Sequence, residues 1–145
     1  MAAIRRAEAT WSGALTSGSG EVSAISSGAF SALPVTWASR TETSDGRTSP
    51  EELVAAAHAG CFSMALSAGL GKAGITPTRI STEAKVNFEK VGDGFSITRI
   101  DLVTEGEVPG IDEATFLKHA EDAKKGCPIS RALGAVEITL TAKLA

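Results

Sequence analysis

The spacing of apolar and polar positions changes along the chain, and each change of period marks a new element. Around residues 80–89 the period is two. Ile80, Thr82, Ala84, Val86 and Phe88 fall on one face, and Glu83, Lys85, Asn87 and Glu89 on the other, which predicts a strand. Gly92-Asp93-Gly94 predicts a turn into a second strand over residues 95–108. There the apolar phase slips from Phe95 and Ile97 to Ile100 and Leu102, and a bulge near Thr98-Arg99 accounts for it. A last strand carries Val136, Ile138, Leu140, Ala142 and Leu144 on one face. The N-terminal third is more weakly patterned. It holds strand-like pieces at residues 7–11, 21–26 and 35–41, with a turn at Ser17-Gly18-Ser19-Gly20.

Between these strands the pattern turns helical. Ser49 reads as an N-cap, Pro50 as the first helical residue and Glu52 as the partner that completes a capping box. The helix is expected to end near Leu70, where Gly69, Gly71 and Gly74 gather. Residues 53–66 are apolar or small on nearly every face, so this helix must be covered on all sides. A homodimer enclosing two such helices would cover it. After Pro109-Gly110, Asp112 caps a surface helix to about Lys125, ended by Gly126. A short helix starts at Cys127-Pro128 and ends near Gly134. Strands, a long helix, a hairpin, helices and a strand, with no repeating βαβ order, predict an α+β class.

Composition narrows the function classes. The chain has 145 residues, 43% of them hydrophobic, and fits one domain, 1–145. A net charge of −3 gives no basic footprint for nucleic acid. The start, Met1-Ala2-Ala3-Ile4-Arg5-Arg6, lacks the apolar core of a signal peptide. The apolar stretch 54–70 is interrupted by His58, Ser63, Ser67 and glycines and reads as a buried helix too short and too polar to span a bilayer. The expected location is the cytoplasm, where disulfides are mostly catalytic or redox-sensing. The two cysteines, Cys61 and Cys127, are therefore weighed as a working pair.

Their settings differ. Cys61 lies mid-helix among apolar residues, which raise a thiol's pKa. Cys127 lies at the cap of a helix, where unpaired N–H groups lower it. Local physics thus favours Cys127 as the more acidic thiol, and Cys61 becomes a nucleophile only if a cation reaches it. Buried cysteines also serve as small hydrophobes, which is the ordinary role for Cys61.

Three stretches carry a family resemblance. Ser49-Pro50-Glu51-Glu52-Leu53 followed by Ala55-Ala56-Ala57-His58-Ala59-Gly60-Cys61-Phe62-Ser63-Met64-Ala65-Leu66 resembles the central helix of the OsmC/Ohr family, the osmotically inducible protein C and organic hydroperoxide resistance proteins. Gly126-Cys127-Pro128-Ile129-Ser130 is similar to that family's second cysteine motif, and Val108-Pro109-Gly110-Ile111-Asp112 resembles the OsmC branch. The resemblance implies an intertwined homodimer of antiparallel sheets wrapped round two long central helices, with active sites at the dimer interface. It implies a thiol-dependent peroxidase acting on organic hydroperoxides, and more weakly on hydrogen peroxide, in oxidative or osmotic stress defence. Cys61 would be the peroxidatic cysteine and Cys127 the resolving one. An arginine held by a glutamate would activate Cys61.

By that resemblance the glutamate is Glu51. The Ohr branch places its arginine in the early Gly-rich turn, but Gly18-Ser19-Gly20-Glu21 contains none. The later OsmC position matches Arg40. Glu51 and Cys61 are ten residues apart, about 15 Å along one helix. Glu51 therefore either anchors a long arginine reaching toward its own thiol or serves the partner chain, the second being favoured here. Phe62 and Met64 are candidate substrate-pocket residues beside Cys61. An external dithiol, lipoyl-type or a small thiol, would reduce the disulfide, and no cofactor or metal is required. Two rival readings stand: a metal site built from His58, Cys61, His119 and Cys127, whose spacing matches no familiar zinc pattern, and a non-catalytic dimeric binding protein.

Overall fold

The computed structural model describes all 145 residues, Met1–Ala145. The chain packs as two compact units, Met1–Leu53 and Val54–Ala145.

The first unit contains strands β1 (Ala7–Ser12), β2 (Ser19–Ala24) and β3 (Leu33–Val35), an antiparallel sheet in the order β1-β2-β3. Gly20 pairs with Trp11 on one side and Val35 on the other. A Cβ at Gly20 would come within 2.7 Å of the Trp11 ring, so only glycine lets the indole lie flat there. The expected strand over 35–41 is corrected: β3 stops at Val35, and Trp37–Thr41 form a short helix, α1. A capping box makes the switch. The Ser39 N–H donates to the Thr36 hydroxyl oxygen at 3.1 Å, and the Thr36 N–H to the Ser39 hydroxyl oxygen at 3.0 Å. The Ser39 hydroxyl also donates to the Thr48 carbonyl at 2.8 Å, tying α1 to the chain that leads into the next helix.

Helix α2 spans Pro50–Lys72. Its N-cap is half of the expected box. Ser49 Oγ accepts the Glu52 N–H at 3.1 Å, but the Glu52 carboxylate accepts the Thr48 hydroxyl at 2.7 Å. Gly69 and Gly71 lie inside the helix, and Gly74, at φ +76°, turns the chain out. The helix is longer than the 54–70 stretch. Its 23 residues, 18 of which in a row average a hydropathy of 1.6, satisfy the length and composition of a membrane span, so the reading that it is too short and too polar does not hold.

In the second unit, β4 (Arg79–Val91) and β5 (Gly94–Glu107) form the predicted antiparallel hairpin. Asn87 faces Arg99 and Phe88 faces Ile97, which leaves Thr98 as the bulge residue. Helix α3 (Glu113–Gly126) is capped by Asp112, whose Oδ1 accepts the Thr115 N–H at 2.9 Å. Helix α4 (Pro128–Ala132) follows, and β6 (Glu137–Leu144) completes the sheet in the order β4-β5-β6. The class is α+β with antiparallel pairing, save that β6 runs parallel to β5, since α3 and α4 carry the chain back before it re-enters the sheet.

The core of this unit gathers Phe62, Leu66 and Leu70 from α2, Ile100 and Leu102 from β5, Phe116 and Ala120 from α3, and Cys127. Each fully buried large apolar side chain contributes about 1.5–3 kcal/mol. Gly106 makes room for the Phe116 ring, which a Cβ would meet at 2.5 Å. Within this unit the buried residues of α2, His58, Phe62, Leu66 and Leu70, recur every four positions. On its opposite face Ala56, Ala57, Gly60, Met64, Ser67 and Ala68 are exposed in the single chain. The demand for cover on all sides is thus met by this chain on one face only.

Candidate active site

Within the first unit, α1 and the first turn of α2 bring Arg40 and Glu51 together. Arg40 Nη2 lies 2.6 Å from Glu51 Oε1, and Nε lies 3.2 Å from each carboxylate oxygen. The fork grips both oxygens, which fixes the guanidinium more firmly than a point charge would be fixed. The Glu51 side chain is 9% exposed and that of Arg40 30%, so the carboxylate is the more deeply buried of the two. Arg40 also sits 5.6 Å from the centroid of the Trp37 ring, a cation–π contact. Beside it lies a mostly apolar cleft of about 150 Å³ lined by Trp11, Leu15, Val35, Trp37, Arg40 and Pro50. The sequence reading missed these aromatic neighbours. Trp37 and Arg40 are three apart, a same-face spacing in a helix, but as strand residues they point to opposite faces.

Within the second unit, α2 delivers Cys61 and the α3–α4 junction delivers Cys127. The sulfurs are 3.1 Å apart and both cysteines are free. A disulfide needs about 2.05 Å, so closure asks for roughly an ångström of movement and no refolding. Cys127 is wholly buried, whereas Cys61 keeps part of its surface open. Burial pushes the Cys61 thiol up, and its hydrogen bond with Cys127 adds to the rise. Burial also pushes Cys127 up, but the Ser130 N–H, the Cys61 contact, the Ser130 hydroxyl and the Ile129 N–H outweigh it and bring that thiol down. In this chain by itself Cys127 is the more acidic sulfur, as its position before α4 predicts, and no capping bond of strict geometry is needed for that.

His58, one turn before Cys61 on α2, is wholly buried. Its Nε2 is 2.7 Å from Ser130 Oγ on α4, while Nδ1 has no hydrogen-bond partner in the chain. Burial lowers the His58 pKa, so the ring is neutral at pH 7. An unpaired buried nitrogen costs about 1–3 kcal/mol. Ser63 ties the other side of α2 to the sheet, donating to Thr82 Oγ1 at 2.8 Å, and Thr82 meets Thr104 at 3.0 Å.

Phe62 is sealed in the core, and Met64 is 75% exposed on the uncovered face of α2. His119 lines a groove of about 400 Å³ with Ala65, Gly69, Lys72 and Asp122. No three histidine, cysteine or acidic side chains gather at metal-binding distance, so the set of His58, Cys61, His119 and Cys127 does not assemble.

Comparison with known proteins places the chain in a family. Residues 43–142 match the family model of OsmC-like proteins. The chain is 49% identical to peroxiredoxin OsmC of Escherichia coli strain K12 over 144 residues, 99% of each chain. It is 33% identical over 96 residues to an organic hydroperoxide resistance protein of Xanthomonas axonopodis pv. citri, covering 65% of this chain and 66% of that one. Among solved structures, organic hydroperoxide resistance protein OhrB of Bacillus subtilis superposes with a TM-score of 0.72 at 26% identity, over 95% of this chain and 98% of that one. With two thiols in contact and these matches along its length, the chain belongs to the OsmC family, whose named members here are peroxiredoxins and organic hydroperoxide resistance proteins.

Proposed function

We propose that this chain reduces organic hydroperoxides by a two-cysteine cycle in which Cys61 is oxidised and Cys127 resolves it. The observation that carries the reading is the sulfur pair at 3.1 Å, of which only Cys61 is open to a peroxide. Cys61 thiolate attacks the O–O bond, the alcohol leaves and a sulfenic acid remains. Cys127 condenses with it, releasing water and closing a disulfide that blocks further oxidation. A lipoyl-type dithiol or a small thiol restores both thiols by exchange.

Cys61 is the less acidic sulfur and needs a cation. Arg40, held by Glu51, supplies it. Glu51 stands about 15 Å along α2 from Cys61, which supports service across a homodimer, each protomer's Arg40–Glu51 pair completing its partner's thiol site. The uncovered face of α2, with Met64 and its small neighbours, is the surface such a dimer would bury. The apolar cleft beside Arg40 suits the carbon tail of an organic hydroperoxide, with the polar O–O group toward the guanidinium. In this reading Met64 faces the substrate side and Phe62 packs the core beneath it. The match to peroxiredoxin OsmC runs over 99% of the chain and the family model over residues 43–142, which supports one OsmC-like domain over 1–145. A disulfide that opens in every cycle suits the cytoplasm.

Cys127→Ser tests the division of roles. The variant is expected to consume one equivalent of cumene hydroperoxide at the wild-type rate and then to stall, with Cys61 accumulating as sulfenic acid and, under excess peroxide, as sulfinic acid by intact mass. Sustained turnover with a dithiol reductant in that variant would contradict the resolving role.

A further inference from the structure

Closing the disulfide is itself a proton-transfer reaction. Cys127 must lose its proton to attack, and hydroxide must leave the Cys61 sulfenic acid. Cys127 is wholly buried, so solvent base does not reach it. Among the buried residues of the unit Val54–Ala145, the polar side chains are His58, Thr104 and Ser130, and His58 alone is a base. Ser130 is three residues after Cys127, in the first turn of α4, and its Oγ is 2.7 Å from His58 Nε2. Ser130 is thus bonded to the imidazole on one side and, in the first turn of α4, neighbours Cys127 on the other.

We propose that His58 and Ser130 form a proton relay that deprotonates Cys127 during disulfide closure. The inference rests on the reading that Cys127 resolves a Cys61 sulfenic acid. The Cys127 S–H proton passes to Ser130 Oγ as the Ser130 hydroxyl proton passes to His58 Nε2. The thiolate attacks Cys61 Sγ, the S–S bond forms, the S–O bond breaks and hydroxide departs. The imidazolium returns its proton to the hydroxide, giving water. Cys61 sulfur is reduced, Cys127 sulfur is oxidised by the same amount, and no outside reagent enters. Burial keeps the ring neutral, with Nε2 free to accept the Ser130 proton, and the Ser130 hydroxyl favours the Cys127 thiolate. His58 acts through Ser130 and is in that sense a positioning residue, whereas Ser130 meets the reacting sulfur itself.

The alternative role is a plain tie between α2 and α4. His58→Gln separates the two, because an amide can hold Ser130 but cannot carry the proton. Ser130→Ala removes the relay and leaves His58 in place. Each full-length reduced protein is mixed with one equivalent of cumene hydroperoxide, quenched at intervals with dimedone and read by mass for sulfenate and disulfide. Both variants are expected to form the Cys61 sulfenate within about twofold of the wild-type rate and to close the disulfide about 10²-fold more slowly. His58→Gln closing at the wild-type rate would reduce the contact to a tie and overturn the relay. If that variant does not fold, folded Ser130→Ala decides alone: wild-type closure in it overturns the relay. Wild-type protein that forms no Cys61 sulfenate at all would instead remove the two-cysteine cycle beneath it.

Discussion

Replacing Cys61 with serine is expected to abolish hydroperoxide turnover, lowering kcat/KM by about 10⁴ or more, as loss of a nucleophile does in other enzymes. A serine hydroxyl is scarcely ionised at neutral pH and is a poor nucleophile toward peroxide oxygen. The substitution removes little volume. Cys61 is only part-buried, and the new hydroxyl can still meet the Cys127 sulfur, so the melting temperature should hold. Peroxide consumption with excess dithiol reads the first effect, and thermal unfolding the second. Substantial turnover in folded Cys61→Ser would show that Cys127, the more acidic thiol of the isolated chain, attacks the peroxide itself.

Arg40→Met comes second. It should slow sulfenate formation by about 10²–10³, the scale for removing one preorganised group that stabilises developing charge. Arg40→Lys should recover only part of this, since an ammonium cannot span both Glu51 oxygens as the fork does. Arg40→Met also strands a carboxylate that is 9% exposed. The stability loss should be about 2 kcal/mol, below the 3–5 kcal/mol of fully buried pairs because Arg40 is partly solvated. Adding Glu51→Gln should restore much of that stability and none of the rate. Full recovery of rate in the double variant would reduce the pair to a structural role. Rapid-mix sulfenate trapping and thermal melts measure the two quantities separately.

These expectations rest on residues of unequal legibility. Period-two alternation in β4 and the phase slip in β5 placed the hairpin and its bulge at Thr98, because a sheet with one buried face writes its register into the sequence. Asp112 and Ser49 marked helix starts because orphan N–H groups need acceptors, and Pro50 because the first helical position needs no N–H. The α1 helix escaped notice because Thr36 and Ser39 lie within residues 35–41, where Val35, Thr36, Trp37 and Thr41 favour a strand. That one misreading hid the stacking of Trp37 on Arg40 and the cleft beside it.

The parallel pairing of β6 escaped for another reason. Strand direction depends on where two intervening helices set the chain down, which no local pattern encodes. The thiol pair was readable only in part. Local chemistry ranked the two acidities, and the resemblance supplied the pairing. Their proximity across 66 positions is a tertiary fact. The bond from His58 to Ser130, across 72 positions, is another.

The most direct test is the product of a single oxidation. Reduced protein treated with one equivalent of cumene hydroperoxide, alkylated and digested without reductant, should yield one cross-linked peptide pair, Cys61 to Cys127 within a single chain, at near-stoichiometric amount. Recovery of both cysteines as free thiols after the peroxide has been consumed, or a linkage only between chains, would contradict the account.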